Sequence, residues 1–251
     1  MIGRRAPTNH WNGQADQAGS GAMVNQHING NDARWDSFDN FPDLITHYCQ
    51  RHSETLNALA ADGAVESAAN LVWSTLSAGR SIFISGNGGS AANGTHFATD
   101  ISLILSEGCN GRNRCCGSSH SLADSGPILS AIANDFGSDN CFAHQLAAAG
   151  QAGDLLIAVS VSGRSRNIVR ACEMAMEKQM NIIGMFGSGG ALESSATVSI
   201  AVTDVNYGRV EDIHLSLFHI ITSFVRQQYR QKHSNLPLRD AQSIPLGDMT
   251  R

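Results

Sequence analysis

Several groups of side chains in this 251-residue chain have the types and the spacing to do chemistry. His96 and Asp100 stand at i and i+4, so on a helix they share one face. That is half of a metal site, or a base with the group that orients it, and it equally suits a plain surface hydrogen bond. Glu211, Asp212, His214 and His219 fall on a second helical pattern. At 100° per residue Asp212 and His219 are nearly in line, whereas Glu211 sits about 80° from His219. Acidic residues there also suit the dipole of a helix start, and a lone histidine beside Ile220 and Ile221 reads by itself as a core residue. Two histidine–carboxylate sets on two helices nevertheless point to proton transfer or to a metal. Two further stretches offer anion sites. Gly86-Asn87-Gly88-Gly89-Ser90 and Ser160-Val161-Ser162-Gly163-Arg164-Ser165 each follow an apolar run and precede a helical pattern. Glycines let the backbone turn and a ligand approach the amides, Ser90 is placed to cap its helix, and free N–H groups at a helix start favour a phosphate. The Gly-Lys-Ser/Thr ending of a nucleotide-hydrolysing loop is absent from both.

The elements that must position these groups alternate. Helical patterns run from about Asp36 to Leu59, with Pro42 in the first turn, and from Gly63 to Ala78. Strand Ser81–Ser85 follows, then a helix from Ser90 to about Leu105, and a loop from Ser106 to Ser125. A short helix spans Pro127–Ala133, a turn Asn134–Gly137, and a helix Asp139–Ala149. Strands at Asp154–Val159, Asn181–Phe186 and Val198–Val202 are separated by a helix over Arg166–Lys178 and followed by one over Arg209–Gln231. Solid apolar strands alternating with helices predict an α/β fold, a parallel sheet covered on both faces, with ligands at the carboxyl ends of its strands. Residues 1–35 read as a loose tail, 36–232 as one domain with an N-terminal helical arm, and 233–251 as a second tail. The apolar faces of the two leading helices need a partner, and another subunit is one option.

Composition narrows the function. A hydrophobic content of 42% supports a substantial core, and a net charge of −5 with no basic run argues against nucleic acid. No apolar stretch is long enough to span a bilayer, and the polar N-terminus lacks the apolar core of a signal peptide, which predicts a cytoplasmic protein with reduced cysteines. Cys109, Cys115 and Cys116 cluster with His120 nearby, but adjacent cysteines do not match a standard zinc spacing, so the cluster reads as incidental.

Taken together, these motifs resemble the sugar isomerase (SIS) domain family, and within it the phosphoheptose isomerases. The Ser-Gly-Asn-Gly-Gly-Ser turn with His96-Phe97-Ala98, then Ala133–Gly137, Gly153-Asp154 with the Ser160–Ser165 loop, and Arg209–His214 with His219 carry the likeness, which runs from about Phe38 to Tyr229. The resemblance implies a three-layer αβα sandwich, a homotetramer with active sites between subunits, and aldose–ketose isomerisation of sedoheptulose 7-phosphate or a related ketose phosphate. It implies phosphate binding by Ser160, Val161, Ser162 and Ser165, and sugar contacts from Asn87, Gly88, Gly89, Ser90, Asn134, Asp135 and Glu211. It implies zinc at His96, Asp100, Glu211 and His219, with Asp100 as base and His219 as acid. Two positions depart from the family pattern: its metal-binding Glu is Asp100 here, one methylene shorter, and its Gln is Glu211, which adds a charge. The competing readings are a non-catalytic SIS scaffold of the kind that binds a replication initiator, and a sugar-phosphate sensor. His96 and His219 favour the enzyme, since the scaffold pattern lacks a histidine at the second position.

Overall fold

In the computed structural model, residues 38–107, 116–187, 190 and 193–233 are described. Helix α1 (Phe41–Asp62) and α2 (Ala64–Ser77) lead into strand β1 (Ser81–Ser85), α3 (Gly88–Glu107), β2 (Ser118–Ser121) and α4 (Gly126–Phe136). A 3₁₀ turn at Ser138–Asn140 precedes α5 (Cys141–Ala149), β3 (Leu155–Ser160), α6 (Arg166–Glu177), β4 (Asn181–Gly187), β5 (Val198–Val202) and α7 (Tyr207–Lys232). The five strands form one parallel sheet in the order β2-β1-β3-β4-β5.

Alternation along the strands makes the three layers. Ile82, Ile84, Leu155, Ile157 and Val159 face α2, α3 and α7, where Val72, Leu76, Phe97, Ile101, Leu217 and Phe218 complete one core. Phe83, Leu156, Ala158 and Ile182 face the other way, onto Phe142 and Leu146 of α5 and Ile168, Ala171 and Cys172 of α6. The parallel sheet with helices on both faces is therefore as the alternation of apolar runs requires. One strand is absent from that pattern. β2 reads Ser-Ser-His-Ser and pairs with β1 at the sheet edge, with Ser81 opposite Ser118. An edge strand with little apolar surface to bury gives no hydrophobic run, so sequence shows a loop there.

The strand order fixes where the loops go. After β1 the chain crosses to β2 on one side, and after β3 it crosses to β4 on the other. The loops that leave the carboxyl ends of β1 and β3 thus part company and open a crevice, the usual ligand position in such sheets. These are the glycine turn and the serine turn.

Helix boundaries differ from expectation at functional places. α3 begins at Gly88, so Ser90 lies buried inside its first turn and does not cap it. α4 continues through Asn134-Asp135-Phe136, which the sequence reads as a turn, and ends at Gly137. α7 starts earlier than expected because Asn206 accepts a bond from the Arg209 N–H at 3.0 Å. Arg209 in turn forms a buried two-point bond to Asp204, 2.8 and 2.9 Å long, which fixes that helix start. On α1, Phe41 and Ile45 remain 70% and 48% exposed, so its first turns keep apolar surface open, whereas Leu59 near its end is buried in the core. Residues 1–35, Cys109, Cys115 and nearly all of 233–251 lie outside the described residues, save His233. Cys116 is buried with its Sγ 3.9 Å from Nε2 of His233, while His120 bonds Ser118 and stacks on Phe83.

The histidine that does enter the core is His214. It is fully buried, and neither ring nitrogen has a well-formed hydrogen bond among the described residues. Burial pushes its pKa down to about 4, with the nearby Phe186 backbone offsetting slightly. Unfolding returns it to the ordinary value, so between those values the unfolded chain holds more protons than the folded one. Stability is complete above pH 6.5 and is lost as pH falls toward 4, by about 3 kcal/mol at this one site. Urea titrations from pH 7 to pH 4.5 should show this fall in the native chain and a shallower one in His214→Phe. Parallel profiles would remove His214 as the cause.

Candidate active site

The serine turn begins where β3 ends. Gly163 takes a left-handed φ of 61°, and its N–H bonds the Ser160 carbonyl at 2.9 Å, closing the turn. The Ser160 hydroxyl donates to Ser165 Oγ at 3.1 Å, and the Arg164 N–H reaches Ser162 Oγ at 3.3 Å. Ser165 stands at the N-cap of α6 without using its side chain as a cap. Its hydroxyl and the unpaired first amides of the helix are therefore available to an anion. A cavity of about 120 Å³ opens here, lined by Asn87, Ser90, Ser160, Val161, Ser162, Ser165 and Glu211, together with Val159 and Tyr207.

Two contacts hold the opposite wall. Asn87 and Asn167 exchange amide hydrogen bonds of 3.0 and 2.8 Å, joining the glycine turn to α6 across the crevice. The Glu211 carboxylate lies over Gly89 so closely that a Cβ there would collide with both oxygens. The Ser90 N–H bonds that carboxylate. Burial, and then the charge of Asp212, raise its pKa, and the Ser90 bond opposes the rise.

The second part of the site is a cluster on two neighbouring helices. His96 and Asp100 come from α3 and His219 from α7. Their ring nitrogens, His96 Nε2 and His219 Nε2, are 3.3 Å apart, and Asp100 Oδ2 is 3.5 Å from His96 Nε2. One ligand atom from each of the three lies within 4.8 Å of the others. Donors around a tetrahedral zinc ion, with bonds near 2.1 Å, stand about 3.4 Å apart. Two of the three edges, 3.3 and 3.5 Å, match that value and the third is bounded at 4.8 Å, and three protein donors leave the fourth position for water or substrate, so these residues fit zinc. His219 is exposed, not a core residue as its apolar neighbours suggest.

The helices that carry the cluster are fastened along their length. Asn93 donates to the Glu211 carbonyl at 2.9 Å, Phe97 stacks on Phe218 with centroids 4.6 Å apart, and the Tyr229 hydroxyl reaches the Leu105 carbonyl at 3.2 Å. From Ser90 to His96 is six residues, about 9 Å of helix, so the cluster sits roughly two turns below the serine-turn cavity.

Some expected residues stand elsewhere. Glu211 faces the cavity and does not join the His96–Asp100–His219 cluster. Asp212, which periodicity aligns with His219, accepts a 2.6 Å bond from the Tyr48 hydroxyl of α1. Asn134 and Asp135 are exposed on the last turn of α4 and bond one another at 2.8 Å, away from the cavity lining. Sequence reasoning missed Asn93, Asn167 and Tyr207. The first two are single amides whose partners are 118 and 80 residues distant, with no local pattern to reveal them. Tyr207 follows the Asn206 cap, which could have been read as a helix start.

Comparison with known proteins gives a consistent outcome. A family profile described as the SIS domain matches residues 47–187. The phosphoheptose isomerase of Rhodospirillum rubrum is 32% identical over 185 residues, covering 73% of this chain and 96% of that protein. The structure of a phosphoheptose isomerase from Francisella tularensis superimposes with a TM-score of 0.67 at 27% identity, covering 77% of this chain and 100% of the other. That of the phosphoheptose isomerase from Neisseria gonorrhoeae gives 0.65 at 27% identity, over 74% and 96%.

The close fit of Glu211 over Gly89 is testable. Gly89→Ala should change stability by less than about 1 kcal/mol, because a flexible carboxylate can move aside. It should nevertheless weaken sugar-phosphate binding by displacing Glu211 from the cavity. Calorimetry of melting and of ligand binding reads the two effects separately, and unchanged binding would dismiss Glu211 as a wall of this site.

Proposed function

This chain belongs to the SIS domain family and to its phosphoheptose isomerases, and from that premise we infer that it converts sedoheptulose 7-phosphate to a heptose 7-phosphate. It is an isomerase that moves hydrogen within one sugar phosphate. The observation that carries the reading is the convergence of His96, Asp100 and His219 on one point, along the helix pair whose α3 start adjoins a serine-rich anion cavity.

The chain's own residues divide the work. The hydroxyls of Ser160, Ser162 and Ser165 and the amides at the start of α6 bind the phosphate, remote from the reacting carbons, and supply binding energy that orients the sugar. Val161 borders the phosphate with them, Asn87, Gly88, Gly89, Ser90 and Glu211 border the sugar, and Asn134 and Asp135 are assigned to it by their match to the family pattern. The Asp100 carboxylate removes the proton from the hydroxyl-bearing carbon beside the carbonyl. The electron pair of that C–H bond forms the carbon–carbon double bond of an enediol, and the carbonyl oxygen gains a proton. Reprotonation of the neighbouring carbon, with loss of a proton from the other oxygen, completes the exchange, and His219 is the acid that serves it.

We assign His96, Asp100 and His219 to zinc as well, each through one atom, which leaves the other carboxylate oxygen of Asp100 and the second ring nitrogen of His219 for the proton transfers. Bound there, the ion would polarise the sugar oxygens or fix the site. Glu211 is assigned to the sugar side, since its carboxylate lies in the cavity. A shorter carboxylate at Asp100 and a charged group at Glu211 are the features from which a substrate preference within the ketose phosphates would arise.

A homotetramer with sites between subunits belongs to the same proposal. Phe41 and Ile45 on α1, Leu103 on α3 and Ile220 beside His219 are exposed apolar residues that a second subunit would cover. No helix among the described residues is long and apolar enough to cross a membrane. A scaffold or a sensor has no use for a convergent histidine–carboxylate set, so the enzyme reading is preferred.

Turnover of sedoheptulose 7-phosphate, followed by NMR of the aldose product, tests the assignments. Asp100→Asn and His219→Ala should each lower kcat by about 10²–10⁴-fold, while inorganic phosphate binds each variant with an affinity within about twofold of the native chain. Rates like those of the native protein would withdraw the acid and base roles.

A further inference from the structure

The serine-turn cavity holds hydroxyls, amides and one carboxylate, and no cation lines it among the described residues. A phosphate ester brings about two negative charges at neutral pH into a space that already faces Glu211, with Asp212 adjacent, on a chain whose net charge is −5. Neutral hydrogen bonds and helix amides alone must then outweigh that repulsion, unless a cation at the mouth completes the site.

Two arginines flank the turn. Arg166 already pairs with Asp139 on the surface, its Nε 3.1 Å from that carboxylate. Arg164 stands between the lining residues Ser162 and Ser165, is exposed, and its guanidinium has no hydrogen bond or ion pair among the described residues. Its backbone is held while its side chain is not. The Arg164 N–H bonds Ser162 Oγ, Gly163 before it is locked in the left-handed region, and the Gly163 backbone packs so tightly against Gly190 that a Cβ on Gly190 would strike it. A held turn thus carries, between two serines of the cavity lining, an exposed arginine whose side chain has no partner among the described residues.

We infer that Arg164 is the cation that closes on the substrate's phosphate, and that it confines this enzyme to phosphorylated sugars. The planar fork of a guanidinium can grip two phosphate oxygens at once, which an ammonium cannot. The inference rests on the reading of the cavity as a sugar-phosphate site. Arg164 touches the phosphate and not the reacting carbons, so it acts on specificity and binding, with the proton transfers left to Asp100 and His219.

The test compares the native chain with Arg164→Gln, Arg164→Lys and, as a control within α6, a change at the exposed Arg170, Arg170→Gln. Calorimetry gives Kd for inorganic phosphate, and steady-state kinetics give KM and kcat for sedoheptulose 7-phosphate. Arg164→Gln should raise both Kd and KM by about tenfold or more, the size expected for one charge-assisted contact. Its kcat should stay within about twofold, Arg164→Lys should recover part of the loss, and Arg170→Gln should behave as native. A phosphate Kd within twofold of native in Arg164→Gln, or an equal loss in Arg170→Gln, overturns the inference. A native chain that binds phosphate but does not isomerise the sugar would sink the functional reading alone, because the Kd comparison still decides the role of Arg164. A native chain that binds no phosphate would overturn both.

Discussion

The seam between α3 and α7 is the constraint on which the site depends. These helices follow β1 and β5, strands far apart in the sheet, yet they lie side by side and run in the same direction. Asn93 with Glu211 fastens one end, Tyr229 with Leu105 the other, and the stack of Phe97 on Phe218 fills the middle. With both ends and the centre fixed, the relative height of the helices is set. His96 and His219 then meet because each is next to a member of that aromatic pair. A shift of either helix by one residue, 1.5 Å of rise with a 100° rotation, would part the imidazoles.

The sheet supplies the other coordinate. Its order places the loops after β1 and β3 at a divergence of the chain, and the reciprocal amide bonds of Asn87 and Asn167 tie the two sides together there. α3 belongs to both arrangements. Its first turn, at Gly88–Ser90, borders the anion cavity, and its third and fourth turns carry His96 and Asp100. One rigid helix therefore sets the distance between the serine-turn cavity and the histidine–carboxylate cluster. The division suits a reaction in which binding energy at a remote, unreactive group orients the reacting carbons.

Much of this was legible from residue types. The apolar strands, the glycine and serine turns, and the i, i+4 pair of His96 and Asp100 are local patterns, and local patterns survive in a sequence. What was not legible was distant or ambiguous. β2 is polar because it is an edge, so it carries no apolar signature. Asn93 and Asn167 act through partners far along the chain. Helical periodicity singled out Asp212 beside His219, whereas Asp212 is drawn away by Tyr48 from α1, a contact that no pattern within α7 encodes. The same limit applies to the two histidines of that helix. His214 and His219 both lie among apolar residues, and only the packing against Phe186 and against His96 makes one a core residue and the other part of a cluster.

The central claim is that the serine-turn cavity and the His96–Asp100–His219 cluster serve one bound sugar phosphate. Titration of the isotopically labelled chain with sedoheptulose 7-phosphate, followed by NMR, reads both places at once. The account predicts that the amides of Gly88, Ser162 and Ser165 and the imidazole signals of His96 and His219 respond together, along one saturable curve with a single Kd. A serine turn that saturates while both imidazoles stay unmoved would contradict it.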